Sequence, residues 1–247
     1  MIQKLKKSIL LLVILLCGCD REDASDIFNK RGAPIVEHVS LPAFNAITVN
    51  NGINVVLTQG NVYAATIDGW KNLMPKIHLS VDDEGVLMIE DKNSFYYVRS
   101  KNNMTTIHLT FADELNVINF SGNGYITSND TINTNVLSVL CMNASGDVDL
   151  KLKTQWLFIG SNHANVASVT IAGLSNSVGM TNWGYNPVHL SELKTSIADI
   201  HHHGLASVYL NASESLSIVL YGVGNAYYKG NPSIMLTRRG KGNLFRY

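Results

Sequence analysis

Gly204-Leu205-Ala206-Ser207-Val208, Gly222-Val223-Gly224-Asn225-Ala226 and Gly240-Lys241-Gly242-Asn243-Leu244 are three copies of one pattern: small, any, small, any, apolar. Four more copies precede them: Gly122-Asn-Gly124-Tyr-Ile126, Ala144-Ser-Gly146-Asp-Val148, Asn162-His-Ala164-Asn-Val166 and Gly184-Tyr-Asn186-Pro-Val188. Their central residues are spaced by 22, 18, 22, 20, 18 and 18 positions. All the spacings are even, which predicts that side-chain parity carries over from copy to copy. A period near 20 is that of a stacked solenoid, whose units bury their apolar faces only against neighbours.

Parity extends the prediction outward from the signature. Four residues before each copy stand Ile118, Leu140, Phe158, Met180, Ile200, Ile218 and Leu236; the last signature positions are Ile126, Val148, Val166, Val188, Val208, Ala226 and Leu244. All are apolar, and residues of one parity on a strand face one way, so both columns are expected in the core. The small pairs between them predict a corner where the backbone needs room or a positive φ. The fold class expected is all-β: a single-stranded, right-handed β-solenoid with rungs of about 20 residues. Asn50 to Gly60 reads as strand then turn, Ile77–Val81 and Gly85–Ile89 as a hairpin, and Met104–Phe111 as a strand. Asp91 to Asn103, with Tyr96, Tyr97, Arg99 and Lys101, reads as an exposed loop or an edge.

The N-terminus gives an address. Lys4, Lys6 and Lys7 precede the apolar run Ile9–Leu16, which is shorter than the ~20 residues a membrane span needs. Residues 1–18 therefore read as an export signal, and Leu16-Cys17-Gly18-Cys19 resembles the bacterial lipobox, with Cys19 as the lipidated residue. Residues 19–40 read as a polar tether and 41–247 as one domain. Asp20, next to Cys19, resembles the signal that keeps enteric lipoproteins at the periplasmic face of the inner membrane, which favours that site over the outer membrane. Loss of residues 1–18 leaves 16 Lys+Arg against 19 Asp+Glu, a net charge of −3. That balance has no basic run for nucleic acid. Cys141 remains as the one thiol of the domain and has no partner for an internal disulfide.

Phe44-Asn-Ala-Ile47-Thr-Val49-Asn-Asn-Gly52-Ile53-Asn54-Val55-Val-Leu-Thr-Gln59-Gly60 resembles the opening of the head GIN domain family (DUF2807), Gly52-Ile53-Asn54 being the triplet behind the name. Ser121-Gly122-Asn-Gly124, Tyr228-Lys-Gly230-Asn-Pro232 and Gly240-Lys-Gly242 match in the same order, so the resemblance runs from Leu41 to Tyr247. Asn162/Ala164 and Gly184/Asn186 depart from the strict glycine pairs. The resemblance implies a solenoid-like, all-β fold on exported and often lipid-anchored bacterial proteins. It also implies an adhesin-like role, and it brings no catalytic residues.

Several residues invite chemistry. On a strand, His201 and His203 face one way and His202 the other, so only two of the three can share a metal with Asp199 or His163. His202 falls in the inward column beside Asn182, which predicts a buried polar ladder rather than a metal site. Asp147/Asp149 and Asp82-Asp83-Glu84 match no calcium motif and read as turns. No nucleophile elbow, zinc-protease helix or phosphate loop occurs, and no cofactor is expected.

One step before each copy stand Ser121, Asn143, Ser161, Trp183, His203, Tyr221 and Arg239. Stacked at the ~4.8 Å strand spacing, these would make an outward strip of Trp183, His203, Tyr221 and Arg239, with Tyr185 nearby. That strip is the candidate binding surface. The expected function is a non-catalytic cell-envelope lipoprotein, an adhesin-like binding or structural module. It would be held by its lipid to the membrane and bind a glycan or an envelope protein. The rival is a glycan-acting enzyme on a β-helix scaffold.

Overall fold

The computed structural model describes residues 31–94 and 104–247. The signal segment, Cys19, most of the tether and the Tyr96–Lys101 stretch lie outside the described residues. Strands β1 (Pro34–Ser40), β2 (Ala46–Asn51), β3 (Ile53–Gln59), β4 (Ala64–Trp70), β5 (Ile77–Val81), β6 (Val86–Asp91) and β7 (Thr105–Phe111) build one end. The turn β2–β3 is covered on one side by β6 and β7, which run parallel to it. Beyond those, β5 lies antiparallel on β6, and β4 and then β1 lie antiparallel outward from β7. This end is thus closed by antiparallel strands, as a terminal repeat requires. Residues Pro34–Ser40, placed in the tether by sequence, form the outermost strand of that cap.

The chain then crosses to the other side of the first turn. β8 (Val117–Gly122) pairs with β2, and β9 (Tyr125–Ser128) with β3. The crossover is pinned at a corner, where Asn116 donates to the Asn45 carbonyl at 2.7 Å and Asn45 to that of Gly85 at 3.1 Å. From there every pairing is parallel, through β10 (Ile132–Asn133), β11 (Val136–Cys141), β12 (Asp147–Ser161) and β13 (Ser168–Asn182). β14 (Val188–His189), β15 (Leu193–His202) and β16 (Val208–Leu220) follow, and β17 (Ala226–Lys229), β18 (Ser233–Arg238) and β19 (Leu244–Arg246) close the chain. The result is the β-solenoid that the repeat predicts.

The register corrects the columns in the middle turns. The first inward ladder is Ile118–Val139–Ile159–Met180–Ile200–Ile218–Leu236, with spacings of 21, 20, 21, 20, 18 and 18 residues. Leu140 is therefore half-buried and Phe158 faces out, 41 % exposed, while Val139 and Ile159 are in the core. The second ladder is Ile126–Val148–Val169–Val188–Val208–Ala226–Leu244. Val169 replaces the exposed Val166. The cause lies in the corners. The two ladders are eight residues apart in five turns, but nine in the turn of Val139 and ten in that of Ile159. In the first of these turns Asn143 takes φ 58°, a left-handed conformation that asparagine tolerates.

The glycine pairs answer to crowding. A Cβ on Gly222 would overlap the Gly204 carbonyl oxygen, one on Gly242 that of Gly224, and one on Gly146 that of Gly124. None of these glycines has a positive φ. The sequence needs them because consecutive corners stack backbone on backbone, leaving no space for a side chain.

Candidate functional site

Where β13, β15 and β16 end, the chain turns a corner, and the residue after each strand projects outward. Trp183 and His203 stack at 3.5 Å between ring centroids with planes 15° apart, and His203 stacks on Tyr221 at 4.0 Å and 6°. The Arg239 guanidinium carbon stands 5.6 Å over the Tyr221 ring, and His163 leans on Trp183 at 4.3 Å. The structure thus brings together four of the five residues predicted for the strip: Trp183, His203, Tyr221 and Arg239. Tyr185 is two residues further round the corner, 50 % exposed. Ser161 is not in this column. It lies opposite Asn182 and is buried, so His163 begins the stack instead. Each stacked pair contributes about 0.5–1.5 kcal/mol beyond its area.

A second ladder, unforeseen from the sequence, runs down the next face. His189 stacks on Tyr209 at 4.8 Å, Tyr209 on Tyr227 at 5.2 Å and Tyr227 on Phe245 at 5.3 Å. Tyr247 packs edge-on against Tyr209 and Tyr227, and the Lys229 ammonium stands 5.6 Å over the Tyr247 ring. The signal was available: the residue after the last apolar signature position is His189, Tyr209, Tyr227 and Phe245 in four successive copies. Lys229 also binds Glu192 at 2.8 Å, and this bond and charge hold the carboxyl below its ordinary pKa and the ammonium above.

Between the two ladders, the corner itself is apolar. Tyr185, Leu205 and Val223 are 50 %, 55 % and 53 % exposed. The corners around them are in register, Gly224 donating to the Gly204 carbonyl and Tyr185 to that of Asn165. The last four turns thus present one convex ridge flanked by two stacks of rings, its crest apolar in three turns and ending in the exposed Lys241. Because the rings cover one another's faces, the ridge shows mainly their edges, with phenol hydroxyls and imidazole nitrogens repeating at roughly the strand spacing.

Beneath the ridge lies the predicted polar ladder. Ser161 Oγ donates to Asn182 Oδ1 at 2.7 Å, and Asn182 Nδ2 lies 3.4 Å from His202 Nδ1. His202 Nε2 donates to the Ala206 carbonyl at 2.9 Å, which leaves Nδ1 as the acceptor. His202 is fully buried, and burial pushes its pKa below the ordinary value. The pKa of His203 is also lowered, by desolvation first and then by the nearby His201 and His163. His201 lies on the outward face, its ring 6.2 Å from that of Tyr221.

Elsewhere the candidates reduce to structure. Asp82 Oδ1 accepts from the Glu84 and Val86 amides and so caps the β5–β6 turn. Among the described residues no three His, Cys, Asp or Glu side chains are grouped to hold a metal. Cys141 is fully buried, and burial pushes its thiol up to about 12, far from a nucleophile's range. Trp156, 59 % exposed, and Phe158 form a smaller outward patch on β12.

A family model described as "Putative auto-transporter adhesin, head GIN domain" (DUF2807) matches residues 43–232. No curated protein matches the chain. Among solved structures, a putative adhesin from Bacteroides fragilis is 24 % identical with a TM-score of 0.74, the match covering 87 % of this chain and 97 % of that one. A putative adhesin from Parabacteroides merdae is 19 % identical (TM-score 0.62), again over 87 % and 97 % of the two chains. A putative lipid binding protein from Parabacteroides distasonis is 18 % identical (TM-score 0.60), with the same coverages. These structures share the solenoid fold, and with the family model spanning most of the sequence, the chain belongs to the head GIN domain family.

Proposed function

We propose that this protein is a non-catalytic, adhesin-like module of the bacterial cell envelope, tethered through lipid on Cys19, whose binding surface is the aromatic ridge of its last four turns. The observation that carries this reading is the exposed crest Tyr185–Leu205–Val223 between two stacked ring ladders. An apolar, contiguous, preformed surface marks an interaction site, and its rigidity limits the entropy lost on binding. The family and the solved neighbours described as adhesins support the same role. The direction of the molecule fits it too. Arg31 enters at the capped end, so the tether, of at most roughly 3.5 Å per residue, joins the molecule to the membrane at the end opposite the last turns. Asp20 favours the periplasmic face of the inner membrane, where the ridge would meet an envelope polymer.

The ridge suits an extended chain, a glycan or a peptide, lying along the solenoid axis. Ring edges and hydroxyls at a regular spacing offer it repeated hydrogen bonds, and the crest offers apolar contact. A glycan and peptide array probed with the mature protein tests this. Binding that is lost when Trp183 and Tyr221, or Tyr209 and Tyr227, become alanine supports the proposal. Binding that survives both double changes places the site elsewhere.

A further inference from the structure

The two ends of the solenoid are built differently, and among the described residues nothing covers the outer edge of β18. All six residues of β18 are exposed. Ile234 and Leu236 stand at inward positions, opposite Leu216 and Ile218, which are fully buried one turn back. At the end they remain 43 % and 40 % exposed, because among the described residues no strand covers them as β1, β4 and β5 cover the other end. The outer edge of β18 is a template for one more strand.

The third inward position is occupied differently. Arg238 lies opposite buried Leu220. Its Nη1 donates to Asn243 Oδ1 at 3.0 Å, which holds the guanidinium over the end of the core. An inward-pointing charge on an edge strand discourages indiscriminate pairing. It also sets a rule for a strand that does pair, since a buried guanidinium needs a carboxylate. The surroundings have the same sign: Arg238, Arg239, Lys241 and Arg246 belong to this last turn, and residues 215–247 hold no Asp or Glu. A second copy joined end to end through the same edge would set these cations against one another.

The geometry points to this edge as an acceptor for an extended segment of a partner protein, added parallel to β18. The segment would carry apolar side chains at positions i and i+2, over Ile234 and Leu236, and an acidic one at i+4, over Arg238. Each pairing from β8 to β19 is parallel, so such a strand continues the solenoid by one turn. This edge meets the ridge at Arg239, the residue after β18, but the inference does not depend on the function proposed for the ridge.

The test uses the full chain in detergent and a fluorescent, end-blocked peptide of threonines with valine at i and i+2 and glutamate at i+4. Anisotropy should show saturable binding, and hydrogen exchange should slow in residues 233–238. Changing the peptide's glutamate to lysine should weaken binding at least tenfold, and Arg238→Glu should restore binding of the lysine peptide. No binding of the glutamate peptide overturns the proposal. So does equal binding of the two peptides to the unmodified protein, or a reversed-order peptide that binds as well. A dimer in solution whose β18 amides are already protected overturns it as well.

Discussion

The rings of Trp183 and His203 lie 3.5 Å apart and within 15° of parallel, although 20 positions separate them in sequence. The contact exists because one turn of the solenoid consumes those residues and returns the chain to the same corner one strand spacing along. Stacking is therefore a property of the repeat and needs no loop to order. Trp183→Ala removes two ring contacts and should lower stability by about 1–3 kcal/mol. Circular dichroism should stay that of a β-protein, because Trp183 is outside the core columns. Urea unfolding at constant pH reads the loss.

Gly224→Ala should cost more. The added methyl would overlap the Ala206 carbonyl oxygen and His202 Nε2, the first of which is backbone and cannot turn away. A loss of about 3 kcal/mol, at the upper end for overpacking, is expected. Gly179→Ala is the control. Its new methyl would meet only Phe158 Cδ2 at 3.4 Å, and it should change the urea midpoint little.

Acid should weaken the fold through the corner histidines. Burial lowers the folded pKa of His202, and desolvation with two neighbouring imidazoles lowers that of His203. The folded state thus binds fewer protons than the unfolded chain, whose histidines titrate near 6.5. The stability these neutral rings confer is complete above about pH 6.5 and is lost as pH falls towards the lowered folded values. Urea midpoints should drop between pH 7.5 and pH 5, and the slope should flatten in His202→Gln. A midpoint independent of pH over that range would contradict this reading.

The anchor is read out by fractionation. Cys19→Ala should move the protein from the membrane to the soluble fraction, whereas Cys17→Ala should leave it membrane-bound. A single acyl chain binds membranes only marginally, so retention through Cys19 would require that cysteine to be multiply acylated.

The fold was legible where the corner has a constant length. Copies with the Gly204/Ala206, Gly222/Gly224 and Gly240/Gly242 pairs give the observed register directly, because eight residues separate their inward columns in the structure. The middle copies misled for a physical reason. Asn143 and the longer corner after Ser161 absorb one and two extra residues, which even spacing between signatures conceals. Leu140 and Phe158 therefore fall one residue out of phase with the inward Val139 and Ile159. The strip was legible because parity counting is reliable in the regular turns. The second ladder follows from the same counting one position further on. The exposed edge is a different matter: Ile234 and Leu236 repeat the alternation of the buried Leu216 and Ile218, so no local pattern tells a covered strand from an uncovered one.

The central claim is that the crest between the ladders is where the protein binds. Leu205→Glu tests it most directly, since Leu205 is 55 % exposed at the middle of the crest and belongs to neither ring stack. The substitution should leave the unfolding free energy, read by urea, within about 0.5 kcal/mol of that of the unmodified protein. It should also reduce affinity for whichever glycan or peptide the array identifies by at least tenfold. Unchanged stability together with unchanged affinity would contradict the account.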